Sequence, residues 1–328
     1  ILFSEERIQI GRNFCNKLWN AARFRQMSGA MEDNRSIHSI SNRMNPELWD
    51  DYDHWILAQL TEFTASVENC FKDFDLAPLT HLIYKFFWSD FCDWYVEASK
   101  GAMNASGDRA KNCLAIQDFV LRQVLLIAHP VIPHITETLW QQLGFGESEG
   151  VLIEKHPVLR AHDLKAMLAY SNEAVERVRS MQSLIQEARA LKAQYKIANK
   201  RDTILYYDCA TEGRSIIVNN QERIRVLAGF SDLVGVDRSE AEGMVAATTS
   251  LGSIYLDLSQ GIDVEGERKR LSKELDKLNQ LVQIGEKKLA NPKFIEGAPE
   301  SVVAGARKQL ERTQTQRDET QKILDSLG

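Results

Sequence analysis

Apolar residues recur every three or four positions through most of the first 145 residues, a pattern typical of helices that bury one face. Proline, glycine or a polar stretch interrupts this pattern at intervals, and such residues begin or end helices. The predicted helices cover residues 4–25, 45–71, 76–100, 108–128 and 133–144, and residues 27–44 are predicted as a loop. Together they predict a helical bundle over residues 1–145.

The third predicted helix contains the densest aromatic cluster of the chain. Its aromatic residues are Tyr84, Phe86, Phe87, Trp88, Phe91, Trp94 and Tyr95. Aromatic side chains at helical spacing most often form a core. We therefore assign the whole cluster to the interior of the bundle.

The pattern changes after residue 145. Residues 146–162 contain glycines and little periodicity, which predicts a linker, and a long helix follows over residues 163–195. Short β-branched and aromatic runs then occur at residues 203–207, 231–236, 244–248 and 253–258, around one helix near residues 211–228. With the long helix, these elements predict a small α+β junction module within residues 163–260.

The last segment, residues 261–328, has the apolar spacing of a coiled coil. The spaced residues are Val264, Leu271, Leu275, Leu278, Val282 and Leu289. A second helix is predicted over residues 299–327, where Thr313, Arg317 and Thr320 weaken the apolar pattern. Because the connection is short, we predict an antiparallel coiled-coil hairpin, in a fold that is mainly α.

Composition excludes several classes of protein. The 328 residues are 44% hydrophobic and 26% charged, which excludes disordered and fibrous chains. No apolar run approaches the roughly 20 residues that cross a bilayer, and no charged-then-apolar leader is present, so we expect a cytoplasmic protein and no membrane partner. Because the sequence begins with Ile1 instead of methionine, we expect a piece of a longer protein.

Candidate chemistry is sparse. The five cysteines form no Cys-x-x-Cys pair, so we expect buried free thiols and no metal site. The sequence has no motif for phosphate loops, dinucleotide binding, metalloproteases or serine hydrolases, and we predict no catalytic residues. His129 and His134 lie around two prolines at a helix junction, where we expect a structural role.

A polar stripe lies beside the apolar stripe of the first helix, whose apolar residues are Ile10, Phe14, Leu18 and Ala21. The polar stripe consists of Asn13, Lys17, Asn20 and Phe24, with Arg12, Asn16 and Arg23 beside it. Amides and cations hydrogen-bond bases and phosphates, and an aromatic ring stacks on an unstacked base, as in recognition of single-stranded RNA loops. The stripe is a candidate RNA site, and a solvated helix face is the alternative.

The coiled coil contains a second candidate surface. The net charge of −6 argues against a nucleic-acid partner, but residues 262–328 contain 13 basic and 12 acidic residues. The basic residues of the candidate surface are Lys269, Arg270, Lys273, Lys277, Lys287, Lys288, Arg307 and Lys308. A salt-bridged, solvated coiled-coil surface is the alternative.

Several motifs resemble the valyl-tRNA synthetase family. Residues 11–24 are similar to the first helix of its anticodon-binding domain, and residues 86–95 also resemble this family. Residues 129–140 resemble a motif shared by the class I enzymes that charge branched aliphatic amino acids. Residues 262–265 and 291–294, which flank the first coiled-coil helix, are similar to the family's C-terminal arm.

The resemblance implies an anticodon-binding helical bundle, a junction module and an arm that contacts the outer corner of tRNA. The implied partner is tRNA(Val). From the geometry of the helix faces, we place the polar stripe at the anticodon loop and the arm's basic residues on backbone phosphates. Catalytic and editing domains are implied before Ile1, in a monomeric enzyme that uses ATP and Mg²⁺. This chain alone is then inactive and needs no cofactor.

Two alternatives stay open. The motif at residues 129–140 also fits the corresponding part of an isoleucyl- or leucyl-tRNA synthetase. The negative net charge and the leucine-rich coiled coil also fit a helical scaffold that binds other proteins and has no enzymatic role.

Overall fold

The computed structural model describes residues 5–105, 107–146, 153, 156–195, 197, 203–258, 264–290 and 300–326. The chain divides into two compact units, residues 1–180 and 181–328. The division falls inside a long helix, and the domain limits predicted at residues 145, 162 and 260 stay predictions. Among the described residues, no helix is both long and apolar enough to span a membrane. The mainly α fold class is confirmed.

Helices build the first unit. They are α1 (Glu5–Met27), α2 (Ile37–Ser41), α3 (Asp51–Lys72), α4 (Leu79–Tyr84), α5 (Glu97–Asn104), α6 (Asp108–Ala128), α7 (Pro133–Gln142) and α8 (Ala161–Met167). A π-helical segment, Lys85–Val96, joins α4 to α5 without a break in helical backbone angles. Helix α9 (Asn172–Gln194) begins in this unit and continues into the second.

Helix α6 is the central element of the first unit, since every side chain from Asn112 to Ala128 is buried. A helix buried on all sides needs neighbours on all sides, and α1, α2, α3, α5 and α7 pack against it. Its polar side chains therefore need internal partners, because an unpaired buried polar group costs about 1–3 kcal/mol. Asn112 has such a partner, since its Oδ1 accepts from the Asn45 backbone N–H at 2.7 Å.

The strongest polar contact of α6 is made by Asp118. This fully buried carboxylate accepts from Nε of Arg25 at 2.7 Å and from Nη2 at 2.8 Å, and Arg25 on α1 is only 1% exposed. Arg43, in the loop that follows α2, lies 3.4 Å from the same carboxylate. A two-pronged bond of this kind fixes both distance and orientation. It holds α1 against α6.

The aromatic cluster lies mainly in the π-helical segment. Phe86, Phe87, Phe91, Trp94 and Tyr95 are buried, which confirms their assignment to the core. The assignment is wrong for Tyr84 and Trp88, which are half-buried. These two face α1, and the single α1 helix covers their rings only in part.

Helix starts differ from the predictions in three places of the first unit. Asn45 caps only a 3₁₀ turn, Pro46–Leu48, and α3 starts later because Asp50 and Asp53 form a reciprocal capping box. Helix α4 starts after Pro78. The region predicted as a loop contains α2, which Ser36 caps.

The helix predicted over residues 163–195 is two helices. Helix α8 ends at Met167 and α9 starts at Asn172. Between them, the Ser171 backbone N–H donates to Nδ1 of His54 at 3.2 Å, and its hydroxyl accepts from the Ala174 N–H at 3.3 Å. Serine capping of this kind starts a new helix.

The five cysteines form no disulfide. The thiols at positions 70, 92 and 113 are buried as predicted, while the prediction of burial is wrong for Cys15 and Cys209, which are half-buried. The structural role expected of His129 and His134 stays a prediction. Nδ1 of His129 lies 2.9 Å from Oγ1 of Thr136, whose hydroxyl also contacts the carbonyls of Ile132 and Pro133. These bonds close the turn between α6 and α7.

The second unit contains the predicted α+β module. Strands β1 (Ile204–Asp208), β2 (Asp232–Gly235), β3 (Val245–Thr249) and β4 (Gly252–Leu256) form a sheet in the order β2-β1-β4-β3. β1 is parallel to β2 and antiparallel to β4. The single predicted helix is two, α10 (Thr211–Asn219) and α11 (Gln221–Ala228), because the chain turns at Asn220.

Helix α9 holds the end of α11. Nε of Arg189 donates to the Leu227 carbonyl at 2.9 Å, and Nζ of Lys192 donates to the Gly229 carbonyl. Gly229 adopts a left-handed conformation with φ of 73°, which favours glycine and ends the helix. Cations at a helix C-terminus also complement the helix dipole.

The predicted coiled-coil hairpin is formed by α12 (Val264–Ala290) and α13 (Glu300–Ser326), which pack along each other. Each helix is about 40 Å long at 1.5 Å per residue. The connecting residues 291–299 cannot return over that distance at about 3.3–3.6 Å per residue, so the helices run antiparallel.

Heptad spacing continues through both arm helices. Its buried or half-buried positions are 271, 275, 278, 282, 285 and 289 on α12 and 303, 306, 310, 313, 317, 320 and 324 on α13. The three polar residues of the α13 middle occupy this row. Thr313 is buried there because its hydroxyl donates to the Gln309 carbonyl at 2.8 Å.

Removal of the Asp118 carboxylate should destabilise the first unit strongly. Asp118→Ala leaves the Arg25 guanidinium buried without its main partner, so the free energy of unfolding in urea should fall by about 3–5 kcal/mol. Asp108→Ala removes an exposed carboxylate from the same helix and should change it by less than about 1 kcal/mol. Equal losses in the two variants would contradict the role of Asp118.

Asp90 should make stability depend on pH. Burial raises the pKa of its carboxyl to about 6, with the charge of Lys85 opposing the shift and that of Glu62 adding to it. The folded protein then binds more protons than the unfolded chain between about pH 4 and pH 6, so stability falls as pH rises through this window. Asp90→Asn should raise the free energy of unfolding at pH 7 by about 1–2 kcal/mol.

Urea unfolding at pH 3.5 and pH 7 measures this effect. At pH 3.5 the wild type and Asp90→Asn should differ little in stability, because this carboxyl is then protonated in the folded protein and mostly protonated in the unfolded chain. Asp108→Asn, at an exposed site, serves as the control and should show no gain at pH 7. A loss of stability in Asp90→Asn at pH 7 would mean that the charged carboxylate is stabilising.

Candidate nucleic-acid interface

Helix α1 is fixed to the bundle along one side. Its buried residues are Phe14, Leu18, Ala22 and Arg25. The predicted apolar stripe is therefore right in its middle and wrong at its ends, since Ile10 is 57% exposed and Ala21 is half-buried. The bond between Arg25 and Asp118 turns Ala22 and Arg25 towards α6.

The α1 polar face, defined by Arg12, Asn13, Asn16, Lys17, Asn20 and Arg23, lies on the outer side. All of these residues are exposed except Lys17, which is half-buried. Oδ1 of Asn13 accepts from Nε2 of Gln9 at 2.9 Å. The face thus offers both donors and acceptors to a ligand. The structure places these predicted residues together, and their contact with RNA stays a prediction.

Lys17 links α1 to the π-helical segment. Its Nζ lies 2.8 Å from Oδ1 of Asp93 and 5.0 Å from the centroid of the Trp88 ring. The Trp88 ring stacks on Tyr84 with 5.1 Å between centroids. We call Lys17, Asp93, Trp88 and Tyr84 the Lys17 layer. It joins a cation, a carboxylate and two rings at the edge of the α1 polar face.

The charge of Lys17 is stabilised within this layer. Partial burial lowers the pKa of its amine, but the hydrogen bond to Asp93 and the nearby negative charges outweigh burial, so the pKa is raised overall. The ammonium is therefore a hydrogen-bond donor at neutral pH, next to the Asp93 carboxylate. The side chains are 30% and 48% exposed, respectively, so a ligand can reach both.

A similar arrangement surrounds Phe24. Nζ of Lys100 lies 5.7 Å from the Phe24 ring centroid and 2.6 Å from Oε1 of Glu97. The ring is half-buried and packs against the cluster of Met103, Cys113 and Leu114. Part of its surface is thus used for packing, and the predicted base stacking of Phe24 stays a prediction.

An apolar cavity of about 580 Å³ adjoins the Lys17 layer. Its walls include Ile10, Gly11 and Phe14 of α1, Tyr84 of α4 and Val131 of the turn before α7. Concave apolar walls with a few polar groups at the rim are typical of ligand sites. The cavity provides space for a flat ring beside the polar face.

The arm groups several of its basic residues. Gly285 packs against Leu310, where a Cβ on Gly285 would lie 3.0 Å from the leucine side chain. This register of the antiparallel helices brings Lys287 and Lys288 level with Arg307 and Lys308, and these four side chains are exposed.

The remaining basic residues of the predicted arm surface lie towards the start of α12. Lys273 and Lys277 are exposed. The side chains of Lys269 and Arg270 lie outside the described residues. Phosphate contacts by any of these residues stay predictions.

The candidate interface includes three residues that the sequence pattern does not single out, Asp93, Trp88 and Lys100. Helical spacing assigns Trp88 to the core with its aromatic neighbours and gives the two charged residues no particular role. A π-helical turn is wider than an α-helical one, so it changes which residues share a face. The available signal is the presence of two aspartates, Asp90 and Asp93, inside a mostly aromatic run.

Two domain families match the chain. The anticodon-binding domain of tRNA ligase matches residues 53–207, and the valyl tRNA synthetase tRNA binding arm matches residues 263–328. The first match covers the bundle from α3 onwards and reaches β1, and the second covers the coiled-coil hairpin. Helix α1 lies before both matched ranges.

Curated relatives align with nearly the whole chain. Valine–tRNA ligase of Nitratidesulfovibrio vulgaris is 31% identical over 95% of this chain and 34% of its own length. The valine–tRNA ligase of Acinetobacter baylyi is 30% identical over 94% of this chain and 32% of its own length. The valine–tRNA ligase of Francisella tularensis is 30% identical over 100% of this chain and 35% of its own length. The chain thus spans about a third of the length of these relatives. Since both domain matches and these alignments agree, the chain belongs to the valyl-tRNA synthetase family.

Proposed function

We propose that this chain is the tRNA-recognition part of a valine–tRNA ligase and that the α1 polar face binds the anticodon loop. The observation that supports this most is the set of exposed amides and cations on a helix whose other side is held in the core. Single-stranded RNA loops are recognised by hydrogen bonds to base edges, by stacking and by cations on phosphates. The α1 polar face, the Lys17 layer and the adjoining cavity offer all three.

The arm supplies a different kind of contact. Lys287, Lys288, Arg307 and Lys308 lie at one level of the hairpin, and all four are exposed cations. Such cations bind backbone phosphates of any sequence and release counterions on binding. The arm therefore adds affinity for the tRNA body, and the α1 polar face adds selectivity.

In a whole protein of this family, the chain orients tRNA(Val) for aminoacylation. Valine activation with ATP and Mg²⁺, transfer to the tRNA and editing belong to other domains of that protein. This chain acts as a monomer that positions the tRNA, and it needs no cofactor of its own for that task. Positioning of a reactant is itself a large part of catalysis.

Selectivity for the anticodon should depend on the α1 polar face. The wild type should bind tRNA with a valine anticodon more tightly than the same tRNA with an altered anticodon. Asn20→Ala combined with Arg23→Gln should reduce this preference by about 10-fold, because hydrogen bonds to specific bases are removed. Titration of fluorescent tRNA gives the Kd values, and Asn219→Ala, an exposed asparagine of α10, is the matched control.

Three other results would argue against this function. Equal binding of both tRNAs by the wild type would mean that the α1 polar face does not read the anticodon. Tighter binding of a tRNA with an isoleucine or leucine anticodon would favour those ligases. The absence of binding at low salt, with dimerisation through the arm, would favour a protein-binding scaffold.

The arm should act through charge alone. Replacement of Lys287, Lys288, Arg307 and Lys308 by Gln should weaken binding of both tRNAs equally and reduce the slope of log Kd against log salt by about one for each phosphate that the arm no longer binds. Titrations at low and at high salt measure the slope. An unchanged slope would show that these four residues do not bind phosphates.

A further inference from the structure

We propose that the open edge of the sheet in the second unit, strand β3, binds an extended, basic segment of another protein by strand addition. Such a partner is additional to tRNA and does not depend on the function proposed above. The two edges of the sheet differ in their hydrogen bonds, and the surroundings of the open edge are acidic.

Strand β2, at one edge of the sheet, is blocked by side chains. The Leu233 N–H donates to Oδ1 of Asp232 at 2.8 Å, and the Leu233 carbonyl accepts from Nε2 of Gln221 at 3.3 Å. Nε2 of Gln221 also donates to Oδ1 of Asp232 at 3.1 Å. These bonds occupy the backbone groups of Leu233, so a further strand has no free partner at this residue.

Strand β3, at the other edge, pairs only with β4. A two-residue turn joins Thr249 to Gly252, and the closing pair of such a hairpin exchanges hydrogen bonds. Every second residue back from Thr249 therefore bonds to β4, and Ala246 and Thr248 direct their N–H and C=O groups away from the sheet. Both residues are exposed. Within the part of the chain that the structure describes, these outward backbone groups have no hydrogen-bond partner.

The sequence of β3 lacks the features that protect an edge strand. Val245–Thr249 contains no charged residue and no proline. Its register with β4 is continuous, with no bulge. Proteins usually interrupt an exposed edge by one of these means, because a regular open edge pairs with other chains. The β3 edge is thus suited to a partner strand, as in peptide recognition by β-augmentation.

Ala246 ends a row of side chains on one face of the sheet. The row consists of four residues that pair in register across the strands, Val234, Tyr206, Tyr255 and Ala246. Tyr255 belongs to a core cluster against which Tyr206, Val234 and Met244 pack while only partly buried. A residue of an added strand opposite Ala246 would continue this row. We therefore expect an apolar side chain at that position of the partner.

The charge around β3 favours a basic partner over RNA. Residues 203–258 contain eight acidic and four basic residues. Three of the acidic residues, Asp237, Glu240 and Glu242, are exposed in the segment that leads into β3, where Arg238 is the one basic residue. These charges repel RNA phosphates and attract lysine and arginine. The partner strand should therefore carry basic residues beside this segment.

A second copy of the chain fits the edge less well. Pairing of two β3 strands alone buries far less than the roughly 1,200 Å² at the lower limit of stable interfaces. Each copy would also bring its own excess of acidic charge to the contact. A basic segment of another protein brings the opposite charge, and binding through one strand is sufficient for a weak or transient complex.

Two synthetic peptides test this proposal. One has alternating valine and threonine at its centre and two lysines at each end, and the other has glutamate in place of each lysine. In fluorescence anisotropy at low salt, the lysine peptide should bind the full chain at least about 10-fold more tightly than the glutamate peptide. It should also slow hydrogen exchange of the Ala246 and Thr248 amides by about 10-fold or more, because new hydrogen bonds protect them.

Variants of β3 and its surroundings separate the backbone contribution from that of charge. Thr248→Pro removes an outward N–H and no bond to β4, so it should weaken binding of the lysine peptide by about 10-fold or more. Thr248→Val keeps the N–H and should bind as the wild type does. Glu242→Gln should weaken binding of the lysine peptide, and Glu212→Gln, at an exposed site on α10, is the matched control. Thermal unfolding of each variant checks that it is folded.

Several results would overturn the proposal. The lysine peptide could fail to bind at millimolar concentration, or bind Thr248→Pro as tightly as the wild type. Protection of the Ala246 and Thr248 amides in the free chain would mean that the edge is already covered. Dimerisation that Thr248→Pro abolishes would identify a second copy as the occupant. Each of these results leaves tRNA recognition by the α1 polar face untouched, because the tested residues lie outside that face.

Discussion

The buried bond between Arg25 and Asp118 determines which side of α1 faces solvent. Both side chains are at most 1% exposed, and such a pair is tolerated in a core only when its hydrogen bonds are made. The two-pronged geometry leaves α1 one orientation on α6. Since successive residues of a helix point about 100° apart, a rotation of α1 by about that angle would carry Lys17 towards the core. The outward position of the α1 polar face is thus tied to one internal ion pair.

Orientation of α1 also sets what lies next to the polar face. Lys17 and Phe24 are two helical turns apart, and both meet the helix that contains the π-helical segment. On that neighbouring helix, Asp93 forms an ion pair with Lys17 beside the Trp88 ring. Glu97 forms an ion pair with Lys100 beside the Phe24 ring. Core packing therefore supplies the aromatic rings, and surface charges supply the hydrogen-bonding groups. The same helices therefore combine a packed core with exposed hydrogen-bonding groups.

Local signals in the sequence are enough to predict the ends of helices that stop at a proline or a glycine. Helix α6 lies where predicted because its end is marked by His129 and Pro130, and the arm follows its heptads. The break between α8 and α9 has no proline or glycine and depends on Ser171 and His54, which are distant in sequence. The pairing of Lys17 with Asp93 spans 76 positions and cannot be foreseen from either helix alone.

The contact between the α1 polar face and the anticodon loop can be measured directly by nuclear magnetic resonance. A short RNA hairpin with the valine anticodon loop is added to the protein, and the side-chain amide signals of its asparagines are followed. We expect signals of Asn13, Asn16 and Asn20 to shift, while the exposed Asn219 of α10 stays unchanged. Unchanged signals from all three α1 asparagines at saturating hairpin would contradict the proposed recognition of the anticodon by this helix.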